Sequence, residues 1–390
     1  MKTILALISF VVAATTLLPF AYTTIAQRSG TAYASEGLTH GISRTQRDRI
    51  ASIMRQEIAE GNFPGAVTLI AKRGTVALFE AYGYQDAAKT KPMVKDTIFR
   101  IASMTKPIVN FVTMMLVEQR VLRLDTPIAH YLPELKDLRV ETSKVNNDDS
   151  KTTEDIPVNR PITIEHLLRH TAGFFYQATA TSERLKNAYR QANIEANEGD
   201  ITGDEMLRRL ATIPLAYQPG SGHLYSISND VLGLLLERAT HKPLDVLIEE
   251  LLIRPLGMKD TAFWVPADKL SRRAEMPYGS NNKTFPPDRF CNSEADIKRS
   301  YLKGGSGLCG TAEDYFKFLQ MIVNGGQFRG RRYLSRDLVD KWFGGGGDGI
   351  FGTSFFVDRK TRLIIIEFTQ GGLSALRSWQ ALNDVVHGAK

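Results

Sequence analysis

A chain of 390 residues, 43% hydrophobic and 23% charged, carries enough apolar material for one large domain or two lobes, which excludes a disordered or fibrous class. Its formal charge of +7 comes from basic residues mostly interleaved with acids, as in Arg47-Asp48-Arg49. Clusters such as Arg272-Arg273 and Arg329-Arg331-Arg332 stand far apart, without a basic helix face or a nucleic-acid motif, so the charge reads as a solvated surface and no nucleic-acid partner is expected.

Lys2 precedes an apolar run, Ile4 to Phe20, with Pro19 near its end and no charge through Ala26. Thr24-Ile25-Ala26 places small residues at signal-peptidase spacing, and Ala32-Tyr33-Ala34 is a second possible cut. The pattern predicts a signal peptide over 1–26 and an exported protein, periplasmic or secreted, with no stable membrane span after cleavage. An uncleaved anchor is the rival reading, since the run approaches the length that spans a bilayer. Residues 27–44 are small and polar and read as a flexible segment leading into a single domain over 45–390.

Thr45 to Glu60 has helical periodicity, with Ile50, Ile53, Met54 and Ile58 on one side. Ala66 to Ala71 and Val76 to Tyr84 read as strands around an Arg73-Gly74 turn. Met104 to Glu118 is a long apolar helix. A mainly helical lobe is expected over about 107–314, including Ile164 to Leu168, Glu205 to Leu210 and Val231 to Ala239. Within it Glu141 to Asn159 has no apolar period and reads as a surface loop. Thr353 to Val357 and Leu363 to Phe368 are paired strands, and a helix from Ser374 to His387 closes the chain. Strands at both ends with helices between them predict an α+β fold: one antiparallel sheet built from both chain ends, helices on its faces, and an inserted helical lobe. A small-molecule site is expected in the cleft between lobes.

Ser-x-x-Lys occurs three times, at Ser103/Lys106, Ser280/Lys283 and Ser300/Lys303, and about one or two matches are expected by chance. Only Ser103 opens an apolar helix. Lys106 then falls on the same face, within reach of the hydroxyl, while the helix N-terminus favours an alkoxide and the oxyanion formed after attack. A capping serine beside a surface lysine is the competing reading, and Tyr225 alone reads as a core aromatic before a helix. His166 and His170 are four apart, but no third ligand or His-Glu-x-x-His accompanies them, so capping and loop-fixing roles are expected and no metal. No Gly-x-Ser-x-Gly elbow and no phosphate loop is present. Cys291 and Cys309 are either a pair or two free thiols.

The segment Phe99-Arg100-Ile101-Ala102-Ser103-Met104-Thr105-Lys106-Pro107 resembles the nucleophile segment of the class C β-lactamase and family VIII carboxylesterase superfamily. Leu124-Asp125-Thr126-Pro127-Ile128, Ile162 to Gly173, Pro219-Gly220 with Tyr225-Ser226, Pro255 to Thr261 and Gly307 to Asp314 resemble its later segments in the same order, from about Arg47 to Gln370. The resemblance implies a β-lactamase/transpeptidase-like fold and an acyl-enzyme on Ser103, with Lys106 as its partner and Tyr225 as proton shuttle to the leaving group. It implies an oxyanion hole from the backbone N–H groups of Ser103 and Ile350. It places the third motif at Gly347-Asp348-Gly349, where the lactamases carry Lys-Thr-Gly; Ile227 stands where they carry Asn.

A lysine there recognises a substrate carboxylate, so the expected substrates are small carboxylic esters, turned over without metal or cofactor. Asp348, if it faced the cleft, would repel a carboxylate. Phe174 and Tyr176 are expected against the substrate. The alternatives are a β-lactamase or D-alanyl-D-alanine carboxypeptidase, acting on an amide, and a non-catalytic penicillin-recognising protein.

Overall fold

The computed structural model describes residues 41–145, 151–195, 201–276 and 301–388. The predicted signal peptide, Ser280, Cys291 and Ser300 lie outside them. The described residues fall into two units, one of 109–145, 151–195, 201–247 and 301–305, the other of 41–108, 248–276 and 306–388.

The second unit holds a five-stranded sheet. Its strands are β1 (Gly65–Lys72), β2 (Thr75–Gly83), β3 (Gly345–Gly349), β4 (Thr353–Asp358) and β5 (Leu363–Thr369). They lie in the order β2-β1-β5-β4-β3, antiparallel throughout, so both chain ends build one sheet, as expected. Helices cover both faces, which is why β5 reads Leu-Ile-Ile-Ile-Glu-Phe-Thr, with no outward polar alternation. On one face the helices Arg44–Ala59 and Leu376–His387 pack Ile50, Met54, Trp379 and Leu382 against Ala66, Ile70 and Ile365. The Arg44–Ala59 helix starts at Ser43, whose hydroxyl accepts from the N–H of Gln46 in a capping box. On the opposite face Phe368 meets Phe99 and Tyr315, the latter from the helix Ala312–Val323.

The first unit is mainly helical, with Ile164–Leu168, Glu183–Gln191, Gly203–Leu210 and Ser228–Thr240 its principal helices. Two expectations change here. Over the segment expected as a surface loop, Arg139–Val145 and Lys151–Pro157 pair instead as antiparallel strands. Val140 and Thr142 share one face with Ile156, which pairs with Val140, and Val140 is buried where Arg139 and Glu141 bond Leu215. The helical unit also leaves out 248–276, which the expected lobe of about 107–314 included, and takes up the chain again at 301–305. Residues 248–276 pack with the sheet unit because Asp314 accepts from the Asp260 N–H and the Thr261 hydroxyl, and Ala262 bridges Cys309. Cys309 is disulfide-bonded, and the chain has one other cysteine, Cys291.

Candidate active site

Ser103 is half-buried in a 3-10 turn, Ala102–Met104, that runs directly into the helix Thr105–Glu118. Ala102 has φ +44°, a left-handed conformation that a side-chain-bearing residue holds only where its surroundings impose it. The imposing contacts are visible. The Ile101 N–H donates to Leu308 at 3.1 Å, the Leu308 N–H donates to the Thr105 hydroxyl at 3.1 Å, and the Tyr315 hydroxyl donates to the Met104 carbonyl at 3.1 Å. Lys106 is 6% exposed and its Nζ donates to Ser103 Oγ at 3.2 Å. The structure thus brings Ser103 and Lys106 together as the three-residue spacing implies.

Strand β3 is the sheet edge and adjoins this turn. A Cβ on Gly349 would stand 2.5 Å from the Ile101 carbonyl oxygen, so only glycine lets the strand lie this close to the nucleophile segment. The Thr353 hydroxyl, opposite Gly349, donates to that same carbonyl at 3.3 Å. Ile350 follows directly and is 40% exposed.

Asp348 is a correction. Residues paired across antiparallel strands share a face, and Asp348 pairs with Ser354, which pairs with Glu367. That is the face covered by the Leu376–His387 helix, where Ser378 bonds Glu367, whereas Thr353 and Gly349 face Ile101. Asp348 therefore points away from Ser103, and burial raises its carboxyl above the usual range.

Tyr225 lies in the helical unit, three residues before the helix Ser228–Thr240. Its ring sits 5.0 Å from that of His170 and 5.6 Å from that of Tyr176. His170, at φ +54°, accepts from the Ser226 N–H at Nδ1 (3.3 Å), and its carbonyl accepts from the Tyr217 hydroxyl and the Leu224 N–H, both at 3.0 Å. Ser226 Oγ lies 2.8 Å from Ser228 Oγ. His170 and Ser226 thus fix the backbone that carries Tyr225, the loop-fixing role expected of that histidine. His166 instead closes a capping box, its Nδ1 accepting from the Thr163 N–H. Tyr176 stands beside Tyr225, and burial, followed by the charge of Asp230, holds its phenol well above the usual value. Phe174 does not take the substrate-facing position expected of it: it is 2% exposed, inside the helical unit.

A further contact was not foreseen. Asn110, one turn along the helix from Lys106, accepts from Asn229 Nδ2 at 2.6 Å. Asn229 lies two residues beyond Ile227, the position of the family's asparagine. Among the described residues no cluster of three or more His, Cys, Asp or Glu is arranged to hold a metal.

A match to the family described as Beta-lactamase covers residues 50–378. Esterase EstB of Burkholderia gladioli is 32% identical over 371 residues, covering 82% of this chain and 89% of the relative. Protein Rv1367c of Mycobacterium tuberculosis is 35% identical over 286 residues, covering 73% and 69%. Among solved structures, EstCE1, a hydrolase with promiscuous acyltransferase activity, matches with a TM-score of 0.73 at 25% identity, over 88% of this chain and 99% of its own.

Proposed function

The chain belongs to the β-lactamase family and is a serine hydrolase of it, and from that premise we propose that it cleaves small carboxylic esters through an acyl-enzyme on Ser103. The observation that carries the nucleophile assignment is the 3.2 Å contact between Lys106 Nζ and Ser103 Oγ, at the N-terminus of a buried helix. In the proposed reaction Ser103 Oγ attacks the ester carbonyl and its proton passes to the Lys106/Tyr225 pair. The backbone N–H groups of Ser103 and Ile350 receive the oxyanion. Collapse expels the alkoxide, which takes its proton through Tyr225, the role the family pattern gives that residue. Water then attacks the acyl-enzyme, loses its proton to the same pair, and releases the acid.

Support for esters over carboxylate-bearing β-lactams comes from β3. Its sequence, Gly-Gly-Gly-Asp-Gly, offers no cation to a substrate carboxylate, and its one charged side chain points to the other face. EstB and EstCE1, an esterase and a hydrolase by name, favour the same reading. The apolar run Ile4 to Phe20 supports export of the chain to the periplasm or beyond. A panel of p-nitrophenyl esters and nitrocefin, assayed with purified protein, tests the substrate class. A neutral short-chain ester is expected to give the highest kcat/KM. A β-lactam outperforming every ester would replace this reading with a lactamase.

A further inference from the structure

The two arginine clusters of the sequence meet opposite fates in the fold. Arg272 is neutralised, its guanidinium 2.6 Å from Asp260 and 3.1 Å from Asp96. Arg329, Arg331 and Arg332 are exposed and, among the described residues, carry no ion pair; the same is true of Arg336 and Arg362. Three of these guanidiniums meet around one turn. Arg332 Nη1 donates to the Gly325 carbonyl at 3.0 Å, Arg362 Nη2 donates to Asn324 Oδ1 at 2.9 Å, and Arg336 Cζ lies 3.3 Å from where a Cβ on Gly325 would sit.

Asn324 and Gly325 end the helix Ala312–Val323, and its terminal carbonyls account for part of this gathering. They do not account for Arg329 and Arg331 on the hairpin Gln327–Phe328/Arg331–Arg332, which lie over their own aromatic neighbours, 5.3 Å from Phe328 and 4.9 Å from Tyr333. The β1–β2 turn adds Arg73, whose N–H donates to the Arg362 carbonyl at 2.8 Å, and Val76, which is 42% exposed. Of the nearby carboxylates, Asp340 pairs with Arg359 and Asp358 accepts from Thr361, which leaves the exposed Asp337 beside Arg336 as one acid against the five arginines.

This surface is remote from the nucleophile. Strand β4 begins at Thr353, bonded to Ile101, and ends at Asp358, beside the turn to Arg362. Five residue steps along a strand span roughly 17 Å.

We propose that this end of the sheet is a docking surface for a membrane rich in anionic phospholipid, the guanidiniums engaging headgroup phosphates and Val76 meeting the interface. Guanidinium forks match phosphate oxygens, and basic residues close to an anionic bilayer attract it additively. An exposed apolar residue among the cations suits a plane of headgroups over acyl chains. Single-stranded nucleic acid would instead stack bases on open aromatic faces, and those of Phe328 and Tyr333 already carry arginines. The inference is independent of the substrate class.

Co-sedimentation of the full chain with vesicles of phosphatidylglycerol and phosphatidylcholine in equal parts, against phosphatidylcholine alone, tests it. Binding is expected only with the anionic vesicles and falls as salt rises. The triple variant R329E/R331E/R362E should weaken it by more than about tenfold, with ester turnover and melting temperature unchanged. A control with the same charge change on the helical unit, K136E/R190E/R208E, should stay within about threefold of the parent. If the first triple melts early, R329Q/R331Q replaces it and should weaken binding by about threefold or more. Equal losses for both triples, or equal binding to both vesicles, would overturn the proposal. Binding to polyphosphate or DNA without binding to vesicles would overturn the lipid assignment.

Discussion

Gly349 and Ile101 approach so closely that any side chain on Gly349 would press on the Ile101 carbonyl, at 2.5 Å from its oxygen. The contact joins the edge strand that leads to the Ile350 N–H to the turn that carries Ser103. Both proposed oxyanion donors therefore hang from one backbone junction.

Gly349→Ala should separate the two segments. We expect kcat to fall by about 10²–10³-fold, the loss typical of one misplaced oxyanion donor. Overpacking should also cost about 1–3 kcal/mol of stability. Steady-state kinetics with a p-nitrophenyl ester, alongside thermal melting, separates the two effects. Unchanged kcat would detach Ile350 from the oxyanion hole.

Lys106 and Tyr225 are expected to act as one proton-transfer unit with Ser103. Lys106→Ala and Tyr225→Phe should each lower kcat/KM by about 10²–10⁴-fold. The double variant should be no more than about tenfold worse than the worse single. Fully additive losses would mean independent structural roles.

Glu367 is an acid that the fold keeps protonated. Ser378 has one hydroxyl hydrogen, and its oxygen lies 2.8 Å from the Ala375 carbonyl, which can only accept, so the contact between Glu367 and Ser378 calls for the proton on Glu367. Burial raises this carboxyl from 4.5 to about 8. A raised folded-state value means stability that is complete below the unfolded value and lost as pH climbs through the folded one. Glu367→Gln removes that loss, because its amide N–H still donates to the Ser378 oxygen and no charge forms. Denaturant melts should show it level with the parent near pH 4.5 and more stable by up to about 5 kcal/mol near pH 8. A constant difference across that window would mean that Glu367 is ionised throughout. Asp348→Asn should shift stability in the same direction with no change in substrate preference, since its side chain lies on this face.

Much of this architecture was legible because the strands β1, β2, β4 and β5 are apolar runs with a marked turn, and the nucleophile helix is apolar over most of its length. Strand β3 was not legible by composition. Glycine is depleted in strands, and Gly-Gly-Gly-Asp-Gly forms one here through pairing with β4 and close approach to Ile101, both tertiary effects. The facing of Asp348 depends on register, which a glycine run leaves unspecified. The strands Arg139–Val145 and Lys151–Pro157 are not legible because polar and charged residues fill them and leave no apolar run, and their pairing is a tertiary effect. The attachment of residues 248–276 to the sheet unit depends on Asp314 reaching Asp260 across 54 positions, which no local pattern announces.

The most direct test is to label the purified protein with a fluorophosphonate during ester turnover and map the modified peptide by mass spectrometry. The account predicts a single adduct on Ser103, loss of activity in step with labelling, and neither labelling nor turnover in a folded Ser103→Ala variant. An adduct on another serine, with Ser103→Ala still hydrolysing the ester, would contradict it.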